Sequence, residues 1–383
     1  MKSLGLILRH RRYFAPAWAF MSLNLVYGTW AIYIPTIKAQ LQIDKSSLGI
    51  AIFFMAMGSF LILPIAPKIN DYLGCGNATT WGILALGLLG ILPFIAPSYP
   101  FLLGGLFLLG AAQGFLDISM NATVAEIERR DQVTLMTAMH GFFSLGGVLA
   151  GLGTFAMAWF THAYEHMALL LVFMILVNLF FFGAYKDITS EVKKESEFSL
   201  KYLKPLLLLG IISFVVMGSE GAIVDWSGLY LQEIVQLENQ WIGAGFLGFS
   251  IAMTTGRFFG DGISQRIGSE KILALGAAVA TVGYLGVLQD KFFWSISGFT
   301  AIGLGLSVVI PELFRMAGRQ KTINPSKAMA IVAGFGYSGF LTGPVILGFI
   351  AEGFGLRTSY YSLLGAVIAV FFTAVLLITK PKE

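Results

Sequence analysis

Long apolar stretches, broken at short intervals by polar and glycine-rich connections, run the whole length of the chain. Those long enough to cross a bilayer, about 20 residues each, fall at 14–36, 48–67, 79–97, 99–124, 135–160, 167–185, 205–231, 242–260, 270–289, 292–316, 327–350 and 359–379. Their apolar runs are continuous, which predicts helices and excludes the alternating strands of an outer-membrane barrel. The expected fold is an all-α membrane protein with 12 transmembrane helices. At the midpoint, YKDITSEVKKESEFSLKYLK (185–204) is charged and nearly free of large apolar side chains. It reads as a linker between a first six-helix half, 1–184, and a second, 205–383. The remaining connections are too short to hold a soluble catalytic domain, so an enzyme is not expected.

Composition agrees with this reading. Of 383 residues, 56% are apolar and 12% charged, against about 25% charged in a soluble domain, and mean hydropathy is +0.78. A soluble globule, a disordered chain and a nucleic-acid-binding protein are thereby excluded. One Cys, Cys75, gives no internal disulfide. Arg9, Arg11 and Arg12 before an apolar run resemble a signal peptide, but the run is too long and more spans follow, so it reads as a retained first helix. With twelve spans, all of the 25 Lys and Arg lie on the side of the N-terminus except Lys38, Lys45, Lys291 and Arg357. The positive-inside rule makes that side the cytoplasm, with both termini inside the cytoplasmic (inner) membrane.

The halves echo each other. Asp71-Tyr72-Leu73-Gly74 precedes Gln265-Arg266-Ile267-Gly268 by 194 residues, and Tyr27-Gly28-Thr29-Trp30 precedes Met217-Gly218-Ser219-Glu220 by 190. Together these suggest a duplicated unit. Secondary transporters of the parallel-repeat type are built so, with their substrate site at the membrane midplane between the repeats.

These residues resemble the major facilitator superfamily, whose loop signature is G-x-x-x-D-[RK]-x-G-[RK]. The first half keeps Asp71 and Gly74, with Pro67 for the glycine and Tyr72 for the basic residue; the second keeps Arg266 and Gly268, with Gln265 for the acid. Gly256-Arg257-Phe258-Phe259-Gly260-Asp261 resembles the G-R-x-x-G-D run of the fucose-permease-like branch. Asp117-Ile118-Ser119-Met120-Asn121 in span four, Gly218-Ser219-Glu220-Gly221 in span seven and Gly336-Tyr337-Ser338-Gly339 in span eleven are similar to the same branch. The resemblance implies proton-coupled movement of a small polar solute. Its sugar permeases carry a carboxylate in span one, where this chain offers Asn24, Tyr27, Trp30 and Tyr33.

An ionisable group in hydrocarbon costs about 3 kcal/mol on insertion scales, so its presence needs a reason. Asp117, Glu220, Asp225 and Glu312 qualify. A carboxylate taken out of water holds a proton more readily, as a proton carrier requires. Gln113, Asp117 and Asn121 recur every four residues and form one polar stripe; an interhelical hydrogen-bond cluster is the alternative. Asp117, Glu220 and Asp225 are the proton-coupling candidates, Asp225 being shared with an outer-gate or capping role. Glu220 and Asp225 lie about 140° apart around their helix. Asn24, Tyr27, Trp30, Gln113, Asn121 and Trp226 are the substrate-binding candidates, although an interfacial aromatic belt would account for the tryptophans as well. For gating, Asp71 is a candidate, and the resemblance implies a charge relay of Arg257, Asp261, Arg266 and Lys271; a solvated loop that obeys the positive-inside rule is the alternative, and it suits Lys271 better than Arg257. The spacing of Glu312 and Arg315 suggests a salt bridge that closes the inner gate. His140, alone near the start of span five, reads as a packing residue rather than a proton relay.

No nucleotide loop and no metal-ligand spacing occurs, so neither cofactor nor metal is expected. The partners are a small-molecule substrate, protons and the lipid bilayer, with no nucleic acid and a monomeric chain. The leading expectation is proton-coupled solute import by alternating access, with a sugar favoured. The alternative is proton-driven export of drugs, metabolites or siderophore-like compounds. Span five, 135–160, has no proline for the exporters' Gly-Pro motif, which mildly favours import. A transport-inactive receptor is a third reading, against which the buried carboxylates argue.

Overall fold

The computed structural model describes residues 2–189, 203–320 and 325–379. Among them every regular element is helical. In chain order the helices are α1 Lys2–Arg9, α2 Arg11–Leu41, α3 Lys45–Ile62, α4 Ala66–Leu73, α5 Cys75–Leu89, α6 Tyr99–Asp131, α7 Met136–Leu152 and α8 Ala163–Phe181. There follow α9 Leu203–Glu233, α10 Ala244–Ile267, α11 Ser269–Val287, α12 Phe292–Leu306, α13 Val309–Gly318, α14 Pro325–Phe354 and α15 Leu356–Thr379. All twelve expected spans are present, the tenth as α12 and α13 in succession. Among the described residues, ten spans are long and apolar enough to cross a bilayer on length and composition alone. The other two, α2 and α10, are 31 and 24 residues long. Their apolar content is diluted by Asn24, Tyr27, Ser250, Thr254 and Arg257.

The polypeptide divides into two compact units, residues 1–43 with 51–194, and residues 44–50 with 195–383. In the first, α2 is the central helix: twenty of its residues are buried, and it packs on α5, α6, α7 and α8. In the second, α9 packs on α10, α12, α13, α14 and α15. Without a hydrophobic drive between helices in lipid, close backbone approach has to supply the contact energy, and glycine permits it. A methyl group on Gly110 of α6 would overlap the carbonyl oxygen of Met55 on α3, and one on Gly146 of α7 that of Met21 on α2. The second unit repeats these contacts. Gly303 meets Phe249, and Gly339 meets Phe214. In the Gly146 and Gly339 pair both numbers rise by 193, so the repeat suspected from short motifs is carried by backbone packing.

The outward surfaces are apolar. On α8, Leu169, Val172, Phe173, Leu176, Leu179 and Phe180 are exposed along one face, while Met167, Leu171, Met174 and Asn178 are buried on the other. That spacing is the reverse of a soluble amphipathic helix, and it fits lipid.

Candidate functional site

The polar stripe of α6 forms as its spacing requires. Gln113, Asp117 and Asn121 all lie on partly exposed positions of a helix whose neighbouring Leu116, Ser119 and Met120 are buried. The Asn121 amide nitrogen donates to the Asp117 carboxylate at 3.1 Å and to its backbone carbonyl at 2.8 Å. The Gln113 amide nitrogen has no hydrogen-bond partner among the described residues. On α2, Asn24 and Tyr27 are the partly exposed positions of an otherwise buried stretch. The Asn24 side chain donates to the Phe143 carbonyl of α7 at 3.0 Å. The first unit therefore has two helices, each with polar side chains at partly exposed positions.

In the second unit the charge is compensated differently. Glu220 of α9 faces Arg257 of α10, with an oxygen to guanidinium distance of 3.5 Å and side chains 13% and 28% exposed. The other Glu220 oxygen, Oε1, is buried without a hydrogen-bond partner among the described residues. That carboxylate therefore has one cation for half of its capacity and room for a proton or a donor on the other half. By the 193-residue repeat, Glu220 stands where Tyr27 stands in the first unit. The short motifs, at offset 190, align it with Trp30 instead.

The remaining candidates are scattered. Asp225 is buried at 2% exposure on the inner face of α9. Trp30 and Trp226 are wholly buried in their own units, each indole nitrogen lacking a hydrogen-bond partner among the described residues. Glu312 pairs within α13, accepting from Arg315 at 2.6 Å, and the same guanidinium nitrogen donates to Ser264 of α10 at 2.7 Å. Asp71 is exposed in the short helix α4 rather than in a loop, and Arg266 is exposed at the end of α10. The Asp261 side chain and residues 190–202 of the linker lie outside the described residues. His140 is exposed, its ring edge-on to Phe20.

Several contacts had no signal in the sequence. The pairing of Glu220 with Arg257 spans 37 residues; only the need of an intramembrane cation for a counter-charge could have suggested it. Ser119 donates to Asn70 across the α6–α4 contact at 2.7 Å. Arg12 forms a two-pronged contact with Asp131, its Nε at 2.7 Å and its Nη2 at 3.2 Å. By contrast, Glu126, 5% exposed, is held between Arg129 and Arg130 at three- and four-residue spacings that are local to one helix.

Helices of bilayer length with lipid-compatible outer faces, two repeated units and intramembrane carboxylates on partly exposed faces define a polytopic carrier of small solutes. The sequence profile of the Major Facilitator Superfamily matches residues 17–322. The chain is 31% identical to "Membrane protein MosC" of Rhizobium meliloti, over 94% of this chain and 89% of that protein. It is 22% identical to "Glucose/galactose transporter" of Brucella abortus, over 89% of this chain and 90% of the relative. The crystal structure of a mutant of the nucleoside transporter NupG superposes with a TM-score of 0.80 at 10% identity, covering 97% of this chain and all of that one. This chain belongs to the Major Facilitator Superfamily: it is a multi-pass membrane transporter of small solutes.

Proposed function

We propose that this protein is a proton-coupled symporter of a small polar solute, with a sugar the favoured class, working by alternating access in the cytoplasmic membrane with both termini inside. The observation that carries the proposal is the Gln113–Asp117–Asn121 stripe. A carboxylate on a partly exposed face deep in a span, with one amide donor and no cation beside it among the described residues, is suited to bind and release a proton. In this reading the charged form resists reorientation through a low-dielectric interior, and protonation removes that resistance. The amides of Gln113 and Asn121, with Asn24 and Tyr27, offer the donors and acceptors that a hydroxylated solute needs. Glu220, half satisfied by Arg257, is the second titrating group. Asp71, Arg266 and the Glu312–Arg315 pair are assigned to gating at the cytoplasmic end. The similarity to the glucose/galactose transporter of Brucella abortus supports a sugar.

The test is uptake of labelled hexoses, pentoses and nucleosides by proteoliposomes under an imposed inward proton gradient. Accumulation of a hexose above equilibrium, collapsed by a protonophore, supports the proposal. Uptake of none of the three classes, with drug or metabolite extrusion under the same gradient, would replace it with the exporter reading.

A further inference from the structure

A cavity of about 490 Å³ opens where α10 turns into α11, lined by Ser264, Gly268, Ser269, Arg315 and Arg319. Gly268 has φ +90°, a conformation that costs other residues strain, and α11 begins at once after it. Its backbone N–H donates to the Ser264 carbonyl at 2.9 Å. Among the described residues, no side chain caps the helix start. The first-turn amides of a 19-residue helix therefore point outward with the positive end of its dipole.

The equivalent turn of the first unit shows what such a place takes. Gly74, with φ +81°, precedes α5 there. The Gly76 amide donates to the Ile188 carbonyl at 2.9 Å, and the Cys75 thiol donates to that same oxygen at 3.3 Å. Arg130 donates to the carbonyl and hydroxyl of Thr189 at 2.8 and 3.2 Å. Backbone and hydroxyl oxygens from the segment after α8 thus fill a helix start flanked by an arginine. In the second unit the same turn opens on the cavity.

Two further observations point to an oxygen-rich ligand. Ser269 occupies the place of Cys75, is 4% exposed and lines the cavity, and its hydroxyl makes no hydrogen bond among the described residues. Arg319 is exposed and makes no ion pair among the described residues. Arg315 is partly committed to Glu312 and Ser264. A second carboxylate, Glu270, has an oxygen 3.8 Å from where a side chain on Gly268 would begin, so it borders the site and opposes an anion.

We infer that this cavity binds a phosphate-type oxyanion, held by the α11 amides, the Ser269 hydroxyl and Arg319. The ligand is either a free phosphate or the phosphate of an anionic lipid headgroup. The inference is independent of which solute the protein carries. It is tested on the purified full chain in neutral detergent, by melting temperature against added ligand. Inorganic phosphate is compared with chloride at matched ionic strength, and short-chain phosphatidylglycerol with short-chain phosphatidylcholine. A saturable rise with phosphate identifies a soluble anion, and a rise with phosphatidylglycerol alone identifies a headgroup. Arg319→Gln should weaken the apparent affinity about tenfold, the loss of one charge-assisted contact. Ser269→Ala should weaken it less, and Glu270→Gln should tighten it. No rise beyond the controls, or the same rise in Arg319→Gln and the native protein, would overturn the inference.

Discussion

A carboxylate in a membrane needs compensation, and the two on the partly exposed faces obtain it from opposite sources. Asp117 has the amide of Asn121 one turn away on its own helix; Glu220 has the guanidinium of Arg257 on another. An amide supports both protonation states of its neighbour, whereas a cation favours the charged state. Asp117 is therefore the group expected to change its proton most freely in each cycle, with Glu220 the second titrating group. Removing one member of an ion pair leaves the other uncompensated, and removing both does not. Arg257→Gln and Glu220→Gln should each lower the melting temperature, and the double substitution should recover part of the loss. The expected coupling is about 1 kcal/mol or more. Additive effects in such a cycle would mean that the 3.5 Å contact contributes nothing. The stripe on α6 was legible in the sequence because its spacing of four is local to one helix. The Glu220–Arg257 pair was not, since it depends on which faces of α9 and α10 packing brings together.

Helix contacts depend on glycines at points of backbone crossing. A methyl group on Gly146 would overlap the Met21 carbonyl, and one on Gly339 the Phe214 carbonyl, whereas nothing lies within 4 Å of one on Gly104. Gly146→Ala and Gly339→Ala should each destabilise the protein by about 1–3 kcal/mol, seen as lower melting temperature and yield in detergent. Gly104→Ala should leave both unchanged. Equal behaviour of all three would contradict the packing described. Most of the helical layout was readable, because a bilayer imposes a length on each span. Helix ends were less so: α2 and α6 run past their apolar cores to Leu41 and Asp131, since polar residues extend a helix once it has left the lipid. Helix α4 is not legible from its spacing, because eight residues give barely two turns in which a helical period can show. The docking of Ile188 and Thr189 on α5 and α6 was invisible for a similar reason, as it is made by backbone oxygens that any sequence has.

At the scale of the whole molecule, the repeat, the charge asymmetry and family membership describe a carrier with two related units. The proposed orientation has a direct check. Cys75 is buried, so a Cys75→Ser background should be silent to thiol reagents. Tyr72, 89% exposed at the end of α4, and Gln289, beyond α11, can then be replaced singly by Cys. With the termini inside, Tyr72→Cys should react with a membrane-impermeant maleimide only after the membrane is opened, and Gln289→Cys in intact cells. The reverse pattern would invert the topology. The central claim, that proton movement is tied to solute movement through Asp117, is tested most directly by pH recording in proteoliposomes. The medium should become alkaline when the transported solute is added to the native protein. Asp117→Asn, which keeps the shape and the hydrogen bond to Asn121, should bind the solute yet leave the pH flat. An unchanged pH signal in Asp117→Asn would contradict the account.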